Sequence, residues 1–239
     1  MKRLHLPVIV FWALLLFGSC TEEEVSDEPR LTDFQEETIG YFKVIALGVE
    51  FGNFSEVTRK WKSPMVVYAG GTPSPEHVKE LEEVASEINT LVTDGFNIRL
   101  TQDSSESNFY IHFGSREDYI SYYPEISNLA RNEMGLSYAY FNQRAELFAG
   151  HMFVDITRAE PVEQLHLIRE ELTQAIGLSR HASTHPNSIF DVSNETLTSY
   201  AEIDRELIRL LYHPNMVAGV TDPGCTAILQ NIYISENSD

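Results

Sequence analysis

His166-Leu-Ile-Arg-Glu-Glu-Leu-Thr-Gln-Ala-Ile-Gly-Leu-Ser-Arg-His181 is the stretch on which the reading of the fold turns. It lies in a longer pattern from Pro161 to Leu178, where Val162, Leu165, Ile168, Leu172 and Ala175 recur at three- and four-residue steps. That spacing predicts a helix with one apolar face. Gly177 stands near its end, where a residue without Cβ lets the chain turn. His166, Glu170 and Gln174 are four apart and share a second, polar face. Neighbouring Glu170 and Glu171 diverge by about 100° on a helix, so they do not form a facing carboxylate pair.

Working outward, Leu31 to Leu47 also has helical spacing, with Phe34, Ile39, Phe42, Ile45 and Ala46 as core positions, and Gly48 and Gly52 break it. Met65 to Tyr68 predicts a short strand. Ser74-Pro75 caps a helix whose stripe is Val78, Leu81, Val84, Ile88 and Leu91. Asn97 to Gln102 and Asn108 to Phe113 alternate as strands do, the latter with Phe109, Ile111 and Phe113 on one face. Leu136 to Phe141 and Leu147 to Ile156 are further strands. Ser199 with Glu202 reads as a capping box opening a last helix, with Ile203, Leu207, Leu210 and Leu211 inward and Pro214 as its stop. Helices and strands in this order predict an α+β domain.

The N-terminus reads as an export segment. Lys2 and Arg3 precede an apolar run from Leu6 to Phe17, too short for a span of about 20 residues. Gly18, Ser19 and Cys20 follow, a small-small-Cys ending that resembles the lipobox of bacterial lipoproteins. The resemblance implies residues 1–19 as a signal peptide and Cys20 as the lipidation site. Residues 20–30 form an acidic tether with few apolar groups, unable to bury a core. An acidic run after the lipidated Cys resembles the surface-export signal of Bacteroidetes lipoproteins. The expected place is the outer membrane, lipid-anchored at the cell surface, with the periplasmic face as the alternative.

Residues 31–239 then form one domain. Hydrophobic content of 43% and aromatic content of 11% suit a packed core. The net charge of −19 becomes −21 without Lys2 and Arg3, which repels phosphate backbones and argues against nucleic-acid partners. The chain has 2 cysteines, of which only Cys225 lies in the domain, so no internal disulfide or cysteine zinc site forms there. Gly70-Gly71 lacks the Lys-Ser/Thr of a phosphate loop and reads as a turn. No Gly-x-Ser-x-Gly occurs, so a serine-nucleophile elbow is absent.

The opening stretch resembles the zinc helix of metzincin-type zincins, H-E-x-x-H-x-x-G-x-x-H. Gln174-Ala-Ile-Gly177-Leu aligns with the second ligand and the turn glycine, and Glu171 aligns with the general base. Glu170 replaces the first His, Gln174 the second and Arg180 the third, with His181 its neighbour. Ser188-Ile189-Phe190 stands at the Met-turn. Still more similar is a bacterial family, domain of unknown function 2927. It is matched by Ile45-Ala-Leu-Gly-Val-Glu-Phe-Gly52, Trp61 and the strand after it, Glu171 to Leu178, Ser188 to Phe190 and Leu210 to Pro214. The resemblance spans about residues 34–219. It implies a zincin-like α+β domain with a mixed sheet and an active-site-type helix, whose edge strand, expected at Gly150 to Ile156, lays a peptide in the cleft.

The departures shape the functional expectation. A Gln carbonyl is a poor zinc ligand, and Arg169 and Arg180 add positive charge. Glu171 without a metal has no water to activate. The expectation is therefore a cell-envelope lipoprotein with a degenerate metzincin-like domain that binds or supports and does not cleave, with no cofactor. Two other readings stand beside it. One is a zinc-dependent hydrolase with a rearranged ligand set drawn from His166, Glu170, Gln174 and His181, with Glu171 catalytic. The other is a docking module of an envelope assembly. His112, His151 and His185 read as ordinary partly buried or solvated histidines.

Overall fold

The computed structural model describes residues 30–52 and 54–238. The signal peptide, Cys20 and the tether up to residue 29 lie outside the described residues. Helix α1 spans Asp33–Ala46 and opens on a capping box of Thr32 and Gln35. Strand β1 (Lys60–Trp61) and strand β2 (Met65–Gly71) follow, then α2 (Pro75–Leu91), β3 (Ile98–Thr101), β4 (Phe109–Gly114) and the short α3 (Arg116–Tyr122). Strands β5 (Gly135–Phe141) and β6 (Glu146–Asp155) form a hairpin, followed by α4 (Pro161–Ala175), α5 (Glu202–Leu211) and α6 (Asp222–Glu236).

The sheet runs β1-β6-β4-β2-β3, with β5 on the far side of β6. All pairings are parallel except the antiparallel β5–β6 pair. This is the mixed sheet of the expected α+β domain. The expected peptide-laying strand is corrected: Gly150 to Ile156 falls in and just after β6, which is paired on both sides, so the open edge is β5. Met134 C=O accepts from Asp155 N–H at 2.7 Å. Antiparallel alternation then directs the polar groups of Leu136, Tyr138 and Tyr140 to β6 and turns those of Gly135, Ser137 and Ala139 away from it.

Period-two alternation divides the core. Phe109, Ile111 and Phe113 of β4, with Met152 and Val154 of β6, face the main core under the large helices. Phe153 faces a second cluster with Tyr119, Ile126, Ala130 and Leu136 beneath α3. Neither α3 nor α6 is predicted from the sequence. Cys225, Leu229, Ile232 and Tyr233 bury the inner face of α6. The expected Ser199 cap is also corrected. The α5 N-cap is Ala201, and the carboxylate of Asp204 accepts from its N–H at 2.9 Å.

How α4 ends determines where the site lies. Trp61 Nε1–H donates to Ala175 C=O at 2.9 Å, and Tyr212 O–H donates to Ile176 C=O at 2.8 Å. Two of the last carbonyls, which a helix leaves unpaired, thus gain buried donors. Gly177 follows with φ +115°, and a Cβ there would lie 2.0 Å from Arg59 C=O. Only glycine lets the chain pass that carbonyl and turn. The turn returns Ser179 to His181 toward the polar face of α4, and Arg180 N–H donates to Ile45 C=O at 3.2 Å. Ser188 to Phe190 is buried below, where Asp204 accepts from Ser188 Oγ–H at 2.6 Å and Ile189 N–H at 2.9 Å.

Candidate functional site

Four residues singled out in the sequence meet at one cluster on α4. His181 Nε2 lies 2.8 Å from Glu170 Oε1 and 2.7 Å from the side-chain amide of Gln174. His181 Nδ1 lies 3.1 Å from Glu50 Oε1. His166 Nε2 approaches Glu170 Oε2 at 3.3 Å, and its Nδ1 faces Leu197 C=O at 2.9 Å. One carboxylate therefore sits between two imidazoles, and one imidazole sits between two carboxylates.

The charges follow from this geometry. Burial opposes a proton on His181, but Glu170 and Glu50 outweigh it and push its pKa up to about 10. A ring held between two carboxylates donates from both nitrogens, so the Gln174 amide, whose nitrogen is placed 2.7 Å from Nε2, fits that contact only when turned to present its oxygen. Burial likewise opposes charge on His166, and Glu170 with the Leu197 carbonyl outweighs it, raising its pKa. Burial raises Glu170, but the two imidazoles outweigh that and hold it below the ordinary carboxylate range. Glu171 differs. Burial first, and the Glu170 charge second, push it well above that range.

The donor set does not fit the zinc of a zincin. Ligands at about 2.0–2.1 Å from a tetrahedral zinc stand roughly 3.3 Å apart. Here the atoms of Glu170, Gln174 and His181 touch at 2.7–2.8 Å as hydrogen-bond partners. Both nitrogens of His181 face carboxylates, so it has no lone pair directed at a metal. Among the described residues no three His, Cys, Asp or Glu side chains are grouped to hold an ion. The centre carries a positive imidazolium held between Glu170 and Glu50.

Some expected surroundings are corrected. Arg180 reaches Glu56 at 3.2 Å and leaves the inward position to His181. Arg169 adds no charge to the cleft, since it reaches Glu80 at 2.9 Å and Glu87 at 2.8 Å on α2 and lies over the Tyr200 ring. His185 sits beside Tyr41, and His151 hydrogen-bonds the Tyr119 hydroxyl at 2.6 Å, away from the site.

Beside the cluster a cleft of about 340 Å³ opens between α4, the start of β5 and the segment carrying Asp191 and Glu195. A smaller pocket of about 60 Å³ continues along β5 past Ser137, Ala139 and Phe141. Glu50 and Phe51 border both. Sequence reasoning missed Glu50 and Asp191 as site residues. The signal for Glu50 was its position between Gly48 and Gly52, both at positive φ, which turn residues 49–51 across the cleft.

The chain belongs to the family described as "Protein of unknown function (DUF2927)", whose sequence model matches residues 35–231. It is also similar to solved structures of myroilysin. One is 12% identical with a TM-score of 0.41 and covers 66% of this chain and 97% of that one. Another is 12% identical with a TM-score of 0.43 and covers 78% and 98%. No curated protein matches.

Proposed function

We propose that this DUF2927 member is a peptide-binding domain of the cell envelope that has kept a zincin-like framework without its hydrolytic metal. The observation that carries the reading is that His181 is hydrogen-bonded to Glu170, Gln174 and Glu50, so the side chains that align with metal ligands are engaged with protein groups. In this reading Glu171, whose carboxyl burial holds well above the ordinary range, is not poised as a general base. Binding remains open to the site. The outward N–H and C=O groups of Gly135, Ser137 and Ala139 offer an extended segment a strand to pair with, and the cleft and pocket lie along that edge. Lipidation at Cys20 and an acidic tether hold the domain at the outer membrane surface in this reading.

The test is metal content and peptidase activity of the chain from residue 20 with Cys20→Ser, purified without chelators and then offered zinc. No tight zinc and no hydrolysis of a casein substrate are expected. About one zinc per chain, lost with Glu170→Ala and accompanied by hydrolysis lost with Glu171→Gln, establishes the metal-dependent hydrolase instead. Strand pairing is tested with Ser137→Pro, which removes an outward N–H without touching the β6 ladder and is expected to abolish peptide binding. Radiolabelled palmitate incorporated by the native chain and lost with Cys20→Ser tests the anchor; no incorporation overturns it.

A further inference from the structure

We propose that the cleft beside α4 is a binding site for an organic cation, the ammonium or guanidinium of a basic polypeptide segment, received by Glu171 and Asp191. The proposal rests on the peptide-binding reading and names the chemistry of its ligand. Two observations carry it. The first is charge. Glu133, Glu163 and Glu195 line the mouth with Glu50, and Glu170 lies on the α4 side. The second is a pair of buried carboxyl oxygens with no hydrogen-bond partner, Glu171 Oε2 and Asp191 Oδ2. Both residues line the cleft, and they are only 5% and 2% exposed.

A buried acceptor left unpaired costs about 1–3 kcal/mol, so two beside one cavity call for a donor from outside. The chain's own cations near the cleft are engaged elsewhere. His181 faces Glu50 and Glu170, and His166 faces Glu170 and the Leu197 carbonyl. Arg158 pairs with Asp155, and Arg169 with Glu80 and Glu87. An anion is excluded by the surrounding carboxylates. A bare metal ion needs several ligands within one coordination sphere, and the described residues bring no three such groups together. An ammonium on a stem needs no such sphere, because its three hydrogens can reach separate acceptors.

Backbone geometry links the cleft to the strand edge. A Cβ built on Gly135 would lie 3.1 Å from Glu171 Oε1 and 2.7 Å from Leu167 Cδ2. The absence of a side chain there leaves the β5 backbone directly beside Glu171. A segment paired with β5 passes over that carboxyl and can lower a long basic side chain onto it.

Titration calorimetry on the chain from residue 20 with Cys20→Ser tests this. The probes are two blocked pentapeptides that differ only in a central lysine or norleucine, then n-butylammonium and calcium chloride. The lysine peptide is expected to bind about tenfold more tightly than its norleucine twin. Glu171→Gln, which keeps the shape of the side chain, and Asp191→Asn each bring it to the norleucine level with an unchanged circular dichroism spectrum. Equal affinity of the two peptides overturns the cation site and leaves pairing at β5 standing. Binding of n-butylammonium that both variants abolish, with neither peptide bound, keeps the cation site and overturns the peptide reading. Calcium binding abolished by the same variants gives the site to a metal and overturns the proposal, as does no binding of any probe.

Discussion

Glu170→Gln keeps the shape of the side chain while removing one of the two carboxylates that hold His181. The proton affinity of His181 rises from a pKa of about 6.5 in an unfolded chain to about 10 in the fold. That gap is about three and a half powers of ten, a ceiling of about 5 kcal/mol at 1.36 kcal/mol for each. Glu170 shares the effect with Glu50, and a quarter of the His181 side chain, 25%, meets solvent. Screening therefore reduces the Glu170 part to about 1–2 kcal/mol. The folded state holds this proton more tightly than the unfolded state. Its contribution is present in full below about pH 6.5 and is lost as pH rises through 10. Glu170, held below its ordinary range, stays ionised across that window and adds no slope. Urea unfolding from pH 6 to 10, with the His181 ring followed by NMR, gives the comparison. Glu170→Gln is expected to be less stable at pH 7 by about 1–2 kcal/mol, with a gap that narrows toward pH 10. Titration of the wild-type ring near 6.5, or a constant gap across the window, refutes the reasoning.

Three further outcomes follow from the packing. Gly177→Ala forces Cβ against Arg59 C=O at a φ of +115°, so no soluble folded protein is expected; a normal cooperative melt refutes the turn argument. Asp204→Asn weakens acceptors that serve Ser188 Oγ–H, Ile189 N–H and Ala201 N–H, and is expected to cost about 2–4 kcal/mol, read as a drop in Tm. Arg169→Gln leaves buried Glu80 without its guanidinium partner, while Glu87 keeps Arg205, and is expected to cost about 3–5 kcal/mol, whereas Gln174→Ala in the cleft costs under about 1 kcal/mol; equal losses in chemical denaturation contradict the division of roles across α4.

The parts of the fold legible in the sequence are those written in local periodicity. α4 showed in the steps from Val162 to Ala175, β4 in the alternation of Phe109, Ile111 and Phe113, and the end of α4 in Gly177. α3 has seven residues and one buried side chain, too little to make a period. α6 opens on Pro223 and Gly224, two poor helix formers, although Pro is at ease in a helix's first turn. Which hairpin strand lies at the edge depends on pairing between β6 and β4, a long-range choice that no local pattern carries. The site divides in the same way. The shared face of His166, Glu170 and Gln174 follows from i, i+4 spacing. That His181 rather than Arg180 faces inward, and that Glu50 arrives from the far end of the domain, depends on the turn at Gly177 and on the path after α1. Asp191 carried no signal, because its unpaired oxygen is a property of the folded cavity alone.

The ion pairs of Arg169 have a meaning for descent as well as for stability. They fasten α4 to α2 from the side away from the cleft, while Trp61 and Tyr212 fasten its end. A helix fastened from behind keeps its place when side chains on its front are exchanged. Substitutions at residues 166, 170 and 174 then leave the helix where it is. What that face binds can therefore change while the scaffold that carries it stays the same.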